Sequence, residues 1–415
     1  MKILLLHRPG LLACLFIVSA ISTPFAGAAE RPALSLWLDN ILRQHPQLQA
    51  ARAGVDAARA ARRAAEQPLY NPELELEVER SDIRTNTAGI SQTIDWGDKR
   101  SARTNMANHA LILAKATFQQ QRQNIATSLL NALALYQSSL DIKQISDKRY
   151  QLMSRFTELA EKRRKAGDLS QIELDLARLA TAEANFQRAN AEADRIEAER
   201  ELVAHSGVVI GQLPDFPTLP ESRDFPATDR EQLVDSLPAM RIARSQMDVS
   251  RAEVQLRQRE QRPDPSFGLR AGKEGKESLA GLSLSIPLHV RNNFQAEVDI
   301  ANAQLIQRQR EAIDVRRQLA AKLDSSVLSY QINRNAWIAW QKTGKQSLQQ
   351  QTQLLDRLWR TGELSTTDYL VQLKQSLDTE AGAIEQRRRM WQTWIDLLAT
   401  SGDIESWLTA NGELK

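Results

Sequence analysis

Apolar residues recur along most of the chain at the three- and four-residue spacing of a packed helix. Near the C-terminus, for example, Leu370, Leu373 and Leu377 are followed at this spacing by Trp391 and Trp394. Four short stretches break the pattern. In them apolar and polar residues alternate one by one, as in a β-strand with two different faces. The sequence therefore predicts a mainly α protein with a small β part.

The alternation is most regular at 73–79, "ELELEVE", where Leu74, Leu76 and Val78 share one face. The residues on the opposite face are Glu73, Glu75, Glu77 and Glu79. The stretch from Leu279, "LAGLSLSIPL", alternates in the same way, with leucine and isoleucine on one face and serine on the other. The four stretches fall into two pairs, and each pair is predicted to form a hairpin.

The order of elements occurs twice, so the chain is an internal tandem repeat. The segment "PQLQAARAGVDAARA" from Pro46 returns 192 positions later as "PAMRIARSQMDVSRA" from Pro238, with six of fifteen positions identical. In the first copy, residues 29–210, we expect a helix at about 34–67, a hairpin at 73–95, a long helix at 98–165 and a helix at 169–205. In the second copy, residues 230–401, we expect a helix at about 230–261, a hairpin at 266–288, a long helix at 293–360 and a helix at 365–400. The Pro-rich stretch 211–229 links the copies, and 402–415 forms a C-terminal tail.

Residues 1–28 have the pattern of a secretory signal peptide. Lys2 and Arg8 give a positive start, an apolar core follows, and Ala26 to Ala28 supply small residues for cleavage. Cys14, the only cysteine in the sequence, lies in the apolar core, where "LLAC" also resembles a lipoprotein cleavage box. Export is therefore predicted, and lipidation of Cys14 stays open.

No later run of about 18 apolar residues is present, so any part that crosses a membrane must be made of strands. Lipid does not tolerate open sheet edges, and four strands leave two of them. Three chains would supply twelve strands, a plausible number for a closed barrel. We therefore expect a homotrimer in which the apolar strand faces meet lipid and the Glu and Ser faces meet a water-filled lumen. A soluble periplasmic coiled-coil scaffold, with a sheet wet on one face, is the alternative.

Several motifs resemble those of the TolC-type outer-membrane factors, and of their CzcC-like heavy-metal efflux branch in particular. The motifs are "HPQLQAARAGVDAARAARRAAEQPLYNPELELEVE" from His45, "QTIDWGDKRSAR" from Gln92, "FGLRAG" from Phe267 and "GLSLSIPLHVRNN" from Gly281. The resemblance implies a trimeric, twelve-stranded barrel in the outer membrane of a Gram-negative bacterium, continued by a long periplasmic α-helical barrel. It also implies a passive exit duct for heavy-metal cations, which works with an inner-membrane pump of the resistance-nodulation-division (RND) class and a periplasmic adaptor (membrane fusion) protein. Export of drugs or type I secretion of proteins stays open as an alternative.

The turns between the long helix and the last helix of each copy are also alike. "RRKAGDLSQIELD" from Arg163 and "LWRTGELSTTDYL" from Leu358 each place a Gly to end one helix, and a Ser with a following acid to cap the next. By resemblance these turns form the periplasmic tip, which closes the channel and docks the adaptor. The residues expected there are Gly167, Asp168, Leu169, Ser170 and Glu173, and Gly362, Glu363, Leu364, Ser365 and Asp368. The resemblance further implies an acidic ring across three chains from Asp368, with Glu173 as its repeat mate. TolC has an arginine where Leu364 stands, so a closed state held by that arginine is not expected. Capping alone is the alternative role for these turns.

Other classes of function are disfavoured. The net charge is +3, and no basic cluster interleaved with aromatic residues indicates nucleic acid as a partner. The histidines after the signal segment, His45, His109, His205 and His289, fall in separate elements without metal-ligand spacing. No phosphate loop or nucleophile–base pair indicates a cofactor or an enzyme. The four strand glutamates would give a cation-favouring field and not a metal chelate.

Overall fold

The computed structural model of the protein describes residues 33–207, 213–216 and 227–410. The predicted signal peptide, most of the linker and the end of the tail lie outside the described residues. The fold is mainly α-helical with a small antiparallel sheet. The helices are α1 (Ala33–Gln44), α2 (Pro46–Ala65), α3 (Lys99–Ala166), α4 (Gln171–Ser206), α5 (Ala227–Ser236), α6 (Pro238–Glu260), α7 (Gln295–Ala339), α8 (Lys345–Arg360), α9 (Thr366–Ser401) and α10 (Ile404–Ala410). The strands are β1 (Glu73–Arg80), β2 (Arg84–Thr93), β3 (Ser266–Glu274) and β4 (Glu277–Ser285).

A proline divides the first helix of each copy. Residues 34–67, expected as one helix, form α1 and α2, because Pro46 is the first residue of α2 and His45 before it is extended (φ −64°, ψ 122°). Pro238 separates α5 from α6 in the same way, with Leu237 extended. This division adds one helix to each copy beyond those that the sequence pattern predicts.

The long helix is continuous in the first copy and interrupted in the second. α3 has 68 residues, which corresponds to a length of about 100 Å. α7 passes into a π-helical turn, Trp340–Gly344, before α8 begins. The indole ring of Trp340 lies over Gly344, where a Cβ atom would be 2.2 Å from the ring atom Cε3. The turn therefore depends on glycine at position 344.

The four strands form a sheet in the order β1-β2-β3-β4, each antiparallel to its neighbour. The central pair joins the two copies of the repeat, from Thr85 opposite Glu274 to Thr93 opposite Ser266. β1 and β4 are the edges of the sheet and have only one strand neighbour each among the described residues. β4 ends at Ser285, so the apolar residues that follow it lie beyond the paired strands.

The helices form a long bundle in which α3 lies beside shorter helices stacked end to end. α3 packs against α2 and α6 near the sheet, and against α4 and α9 farther from it. α7 likewise packs against both α6 and α9. One apolar core lies in the middle of the bundle, where α1, α5 and α10 join it, and another lies at the end opposite the sheet. None of the helices in the described ranges is apolar over a length that could cross a membrane.

Candidate functional site

The strand register places apolar residues of all four strands on one face of the sheet. Leu74 lies opposite Ile90, Ile90 opposite Leu269, and Leu269 opposite Leu282. The next row toward the hairpin turns consists of Leu76, Ala88, Ala271 and Ala280. The first row is exposed, from 54% at Ile90 to 84% at Leu282. In a single chain this apolar face is therefore uncovered.

The opposite face of the sheet is polar and mainly acidic. Glu73, Glu75, Glu77 and Glu79 are all exposed on it. Ser91 Oγ donates a hydrogen bond to Glu75 at 2.8 Å, and Thr87 Oγ1 donates one to Glu77 at 3.3 Å. Glu274 and Glu277 lie on the same face beside the hairpin turn. Two of the four predicted glutamates, Glu75 and Glu77, are thus held in place by the neighbouring strand.

Arg270 is the only basic residue on this polar face within the paired strands. Its strand neighbours are Gly89 and Gly281. A Cβ atom on Gly281 would lie 3.0 Å from the Arg270 Nε atom, so the glycine lets the long side chain lie flat across the sheet. Sequence reasoning found the alternation around Arg270 but not this packing, because the partner glycine lies on another strand.

A buried polar cluster ties the base of the sheet to the helices. Asp264 is 6% exposed and accepts hydrogen bonds from Tyr70 Oη at 2.7 Å and Lys99 Nζ at 2.8 Å. Tyr70 precedes β1, Asp264 precedes β3, and Lys99 begins α3. The cluster therefore links the first strand of each copy to the long helix. The three residues are far apart in the sequence, and no local motif indicates their contact.

The first turn at the far end of the bundle is a complete capping structure. Gly167 has a left-handed backbone (φ +87°), and the Asp168 N–H donates to the carbonyl of Arg163 at 2.9 Å. Ser170 Oγ accepts from the Glu173 N–H, and the Glu173 carboxylate accepts from the Ser170 N–H at 2.9 Å. The hydrogen bonds from the Ser170 side chain and backbone hold the pKa of Glu173 below its usual value.

The second turn repeats this arrangement with one contact fewer. Gly362 is left-handed (φ +79°), and the N–H groups of Glu363 and Leu364 both donate to the carbonyl of Leu358. Ser365 Oγ accepts from the Asp368 N–H at 3.1 Å and donates to the Asp368 carboxylate at 2.7 Å. No hydrogen bond from the Ser365 N–H to this shorter side chain is present. Both acids predicted for a ring are thus engaged in capping their own helices within the chain.

An apolar core brings the two turns, called the tip from here on, to the same end of the molecule. Leu169 and Leu174 of the first turn lie in the same buried cluster as Tyr369 and Leu373 of the second. Within the cluster, Trp359 stacks on Tyr369 at a centroid distance of 4.7 Å and contacts Phe156 in a tilted arrangement at 5.1 Å. The guanidinium of Arg163 lies 5.1 Å from the centre of the Trp359 ring. The sequence motif indicated the glycine turns but not this aromatic contact between them.

Ion pairs join α9 of the second copy to α3 and α4 of the first. Arg149 on α3 is 9% exposed and donates to Asp378 on α9 at 2.5 Å, and also to Gln187 on α4. Lys374 on α9 pairs with Glu183 on α4 at 2.6 Å. Further pairs of the same kind are Lys148 with Glu380 and Arg387 with Asp141. The two helical hairpins of the tip are therefore linked by charge as well as by apolar packing.

The described histidine and acidic side chains are not clustered as metal ligands would be. Across the described ranges, no group of three or more His, Cys, Asp or Glu side chains is arranged to hold a metal ion. The ring of His45 contacts the carbonyl of His205 at 3.2 Å, and that of His289 contacts the carbonyl of Gln261 at 3.0 Å. These two rings therefore make backbone contacts that fix loops and helix ends.

The family model described as Outer membrane efflux protein matches residues 37–208. The Cobalt-zinc-cadmium resistance protein CzcC of Cupriavidus metallidurans is 28% identical over 263 residues, 61% of this chain and 62% of that protein. The Nickel-cobalt-cadmium resistance protein NccC of Alcaligenes xylosoxydans xylosoxydans is 27% identical over 285 residues, 64% of this chain and 63% of that protein. The matches thus span less than two thirds of the length of these curated relatives.

Solved outer-membrane channels have the same fold as this chain. CusC is a protein whose structures are described in terms of folding and transmembrane channel formation. Its structure superimposes with a TM-score of 0.74 at 16% identity, and the match covers 89% of this chain and 91% of that one. The CmeC outer membrane channel of Campylobacter jejuni gives 0.75 at 12% identity, with 89% and 85% covered. The open state of the MtrE outer membrane channel of Neisseria gonorrhoeae gives 0.73 at 15% identity, with 89% of each chain covered. These similarities confirm the predicted TolC-type fold, mainly α with a small sheet, and the match over residues 37–208 relates the first copy of the repeat to the outer membrane efflux protein family.

Proposed function

We propose that three copies of this chain form a passive channel in the outer membrane, the exit duct through which a tripartite RND-type system exports heavy-metal cations. The observation that carries the proposal is the strand register. It gives one chain a sheet that is apolar on one face from edge to edge and acidic on the other. Such a sheet is suited to lie between lipid and water.

Closure by three copies follows from the open edges. Among the described residues of one chain, β1 and β4 each lack a second strand neighbour, and unpaired backbone groups are costly in lipid. Pairing of β4 with β1 of the next copy would remove both edges and give twelve strands. Because apolar residues must stay on one face, Leu282 and its neighbours on β4 would lie beside Leu74, Leu76 or Val78 of the next copy.

The charge on the polar face supports cations as the exported class. Within the paired strands this face carries six acidic side chains and one basic side chain per chain. The acidic ones are Glu73, Glu75, Glu77, Glu79, Glu274 and Glu277, and the basic one is Arg270. Acids lining a lumen favour the entry of cations. The two curated relatives are named for resistance to cobalt, zinc, cadmium and nickel, which favours metal cations among the possible substrates.

The tip is proposed as the gate and as the docking surface for the periplasmic adaptor. It lies at the end of the molecule opposite the sheet, about 100 Å along α3. Gly167, Asp168 and Ser170 in the first turn and Gly362, Glu363 and Ser365 in the second are exposed, whereas Leu169 is buried. Asp368 and Glu173 are proposed to form the acidic ring when three copies assemble, in addition to capping their helices. The ion pairs of α9 are suited to hold the tip in one arrangement until the adaptor binds.

Assembly can be tested by cysteine cross-linking, because Cys14 in the predicted signal segment is the only native cysteine. A panel of double variants would combine Leu74→Cys or Leu76→Cys on β1 with Ala280→Cys, Leu282→Cys or Leu284→Cys on β4. Since β1 and β4 are at opposite edges within a chain, oxidation should yield covalent trimers for at least one combination. The matched control, Leu269→Cys with Leu282→Cys, joins neighbouring strands of one chain and should stay at the mass of a single chain. Single-chain mass for the whole panel would refute closure by β4 and β1.

The substrate can be tested by deleting the gene and measuring growth on a panel of cobalt, zinc, cadmium, nickel and copper salts. We expect sensitivity to one or more of these cations, restored by a plasmid copy. Sensitivity only to antibiotics or detergents would instead favour drug export. Fractionation of the strain that carries the plasmid copy tests the scaffold alternative, because a periplasmic scaffold would be recovered in the soluble fraction and not with outer membranes.

A further inference from the structure

A row of apolar side chains continues past the end of β4 without a partner in the described chain. Ile286, Leu288 and Val290 are 47%, 77% and 85% exposed. They have the same even-numbered phase as Leu282 and Leu284 on the apolar face of the sheet. The apolar positions of the strand thus continue in the sequence at every second residue after its ladder has ended.

The intervening side chain shows that the extension has a fixed orientation. His289 points back to the helices, where its Nδ1 atom lies 3.0 Å from the carbonyl of Gln261. Its ring also meets Phe294 edge-on at a centroid distance of 5.0 Å. With His289 held inward, Leu288 and Val290 on either side of it are turned outward. Leu288 and Val290 are thus exposed on a segment that the His289 contact holds in place.

The first copy of the repeat has the same feature. Ile94 and Trp96 stand 192 positions before Ile286 and Leu288 and follow the end of β2. They are 49% and 71% exposed. The Ile94 N–H donates to the carbonyl of Pro265 at 2.9 Å, which fixes this segment to the residue before β3. Two independent segments therefore expose large apolar side chains at the base of the sheet.

The height of the sheet explains why these residues are needed. On β4 the apolar face runs from Ala280 to Leu284, which spans about 13 Å along the strand. The next outward position toward the turn, Ser278, is polar. An outer-membrane apolar band is about 25 Å tall, so the paired sheet covers only part of it. Extension to Val290 adds about 20 Å along the chain, and with a strand tilt of about 40° the total height becomes close to 25 Å.

We propose that Ile94, Trp96, Ile286, Leu288 and Val290, called the collar from here on, contact lipid in the periplasmic leaflet of the outer membrane and set the depth of the channel. The inference rests on the proposed function, because it requires the sheet to span the membrane. Tryptophan favours the boundary between the hydrocarbon and the headgroups. Arg291, exposed directly after the collar, can extend toward lipid phosphates.

Lipid is favoured over a second copy as the occupant of the collar. The strand of the next copy that would face β4 is β1, and Asn71 and Pro72 precede it. Proline has no N–H with which to extend a ladder beside 286–290. Tyr70, one residue further back, is held by Asp264. At this height the adjoining chain therefore offers a proline without an N–H and a tyrosine that is already bonded within its own chain, and no continuous strand edge.

The collar can be tested with nitroxide labels on single cysteines in the full-length channel, reconstituted into phosphatidylethanolamine–phosphatidylglycerol vesicles. Leu288→Cys and Val290→Cys are the test sites. Leu282→Cys on the sheet and Gln171→Cys at the tip are the lipid and water references. We expect labels at 288 and 290 to be relaxed by oxygen and protected from a soluble nickel chelate, as at 282 and unlike at 171. Their depth should be shallower than that of the label at 282.

Two results would overturn the collar. Labels at 288 and 290 that the nickel chelate reaches as readily as at 171 would place the segment in water. Immobile labels reached by neither reagent would mean that protein covers it. If the label at 282 is also in water, the proposed function fails with the collar, whereas a lipid-facing 282 with water-exposed 288 and 290 removes the collar alone.

Loss of the collar should also change how the channel is held in the membrane. Leu288→Asp with Val290→Asp should lower the fraction of protein recovered in outer membranes, since carboxylates are disfavoured in the apolar band. The matched control, Ser283→Asp on the polar face of β4, should leave that fraction unchanged. Equal recovery of the collar variant and the control would count against a lipid contact.

Discussion

The glycines of the sheet differ in which neighbouring atoms a Cβ atom would meet. A Cβ atom on Gly272 would lie 2.0 Å from the carbonyl oxygen of Asn86 and 2.7 Å from the Cα atom of Thr87, both backbone atoms of β2. A Cβ atom on Gly281 would meet only the Arg270 side chain, which can swing away. The close approach at Gly272 belongs to the strand pair that joins the two copies of the repeat.

Gly272→Ala should therefore disrupt the pairing of β2 with β3, while Gly281→Ala should be tolerated. We expect Gly272→Ala to lower the yield of detergent-stable oligomer and the midpoint of thermal unfolding, and Gly281→Ala to change both only slightly. Circular dichroism during heating and unboiled gel electrophoresis measure the two quantities. Equal behaviour of the two variants would show that the sheet can adjust at Gly272.

Asp396 on α9 is an acid whose environment disfavours its charge. Burial raises its pKa above the usual 3.8, although a hydrogen bond from Asn131 and the charge of Lys322 act in the other direction. The folded state thus binds the proton more tightly than the unfolded state. Its contribution to stability is present at low pH and is lost as the pH rises from 3.8 through the folded pKa.

Asp396→Asn should raise the unfolding midpoint at about pH 7 and have little effect at about pH 3.5, where the aspartate is already protonated. The asparagine keeps an oxygen that can accept from Asn131. Thermal unfolding at both pH values measures the difference. Asp56→Asn on α2, an exposed acid paired with Arg59, is the control, and the same pH dependence in both variants would contradict a specific effect at Asp396.

Among the elements, α9 is attached to its neighbours by pairs with different degrees of burial. The Arg149 side chain is 11% exposed, whereas Lys374 in the pair with Glu183 is 55% exposed. Removing the acid leaves a buried cation in the first case and a solvated one in the second. The cost of an unpaired buried charge exceeds that of a lost surface pair.

Asp378→Ala should therefore destabilise the protein by roughly 1–3 kcal/mol, and Glu183→Ala by less than about 1 kcal/mol. Adding Arg149→Met to Asp378→Ala should recover part of the loss, because the buried charge is then absent. Unfolding of the four proteins in denaturant completes the comparison. Equal losses for the two single variants, with no recovery in the double variant, would contradict the role given to burial.

The secondary structure was largely predictable because its signals are local. The alternation at Leu74 to Val78 and the Gly–acid–Leu–Ser turns depend only on neighbouring residues. The structure has a strand at the first place and a capped helix start after the turn at the second. The π turn at Trp340 was not predictable, since it depends on how a ring packs over Gly344. The Asp264 cluster and the Trp359 stack join residues that are distant in the sequence, so no single stretch indicates them.

At the scale of the whole molecule, acidic residues at both ends of the bundle would determine the ion selectivity of the proposed channel. The acidic face of the sheet lies at one end of the bundle, and Asp368 lies at the other. In a trimer, Asp368 would place three negative charges at the tip end of the duct. Such a ring attracts cations and repels anions over about 10 Å at moderate salt.

Asp368→Asn should therefore reduce the preference of the purified channel for cations in planar bilayers, measured as a shift of the reversal potential in a salt gradient toward zero. Asparagine removes the charge and leaves the backbone N–H that Ser365 Oγ accepts, so the cap on α9 is retained. Asp56→Asn, an exposed acid on α2 far from the tip, is the control and should leave the potential unchanged. If Asp368→Asn leaves it unchanged as well, the acids of the sheet face alone set the selectivity, and Asp368 serves only to begin a helix.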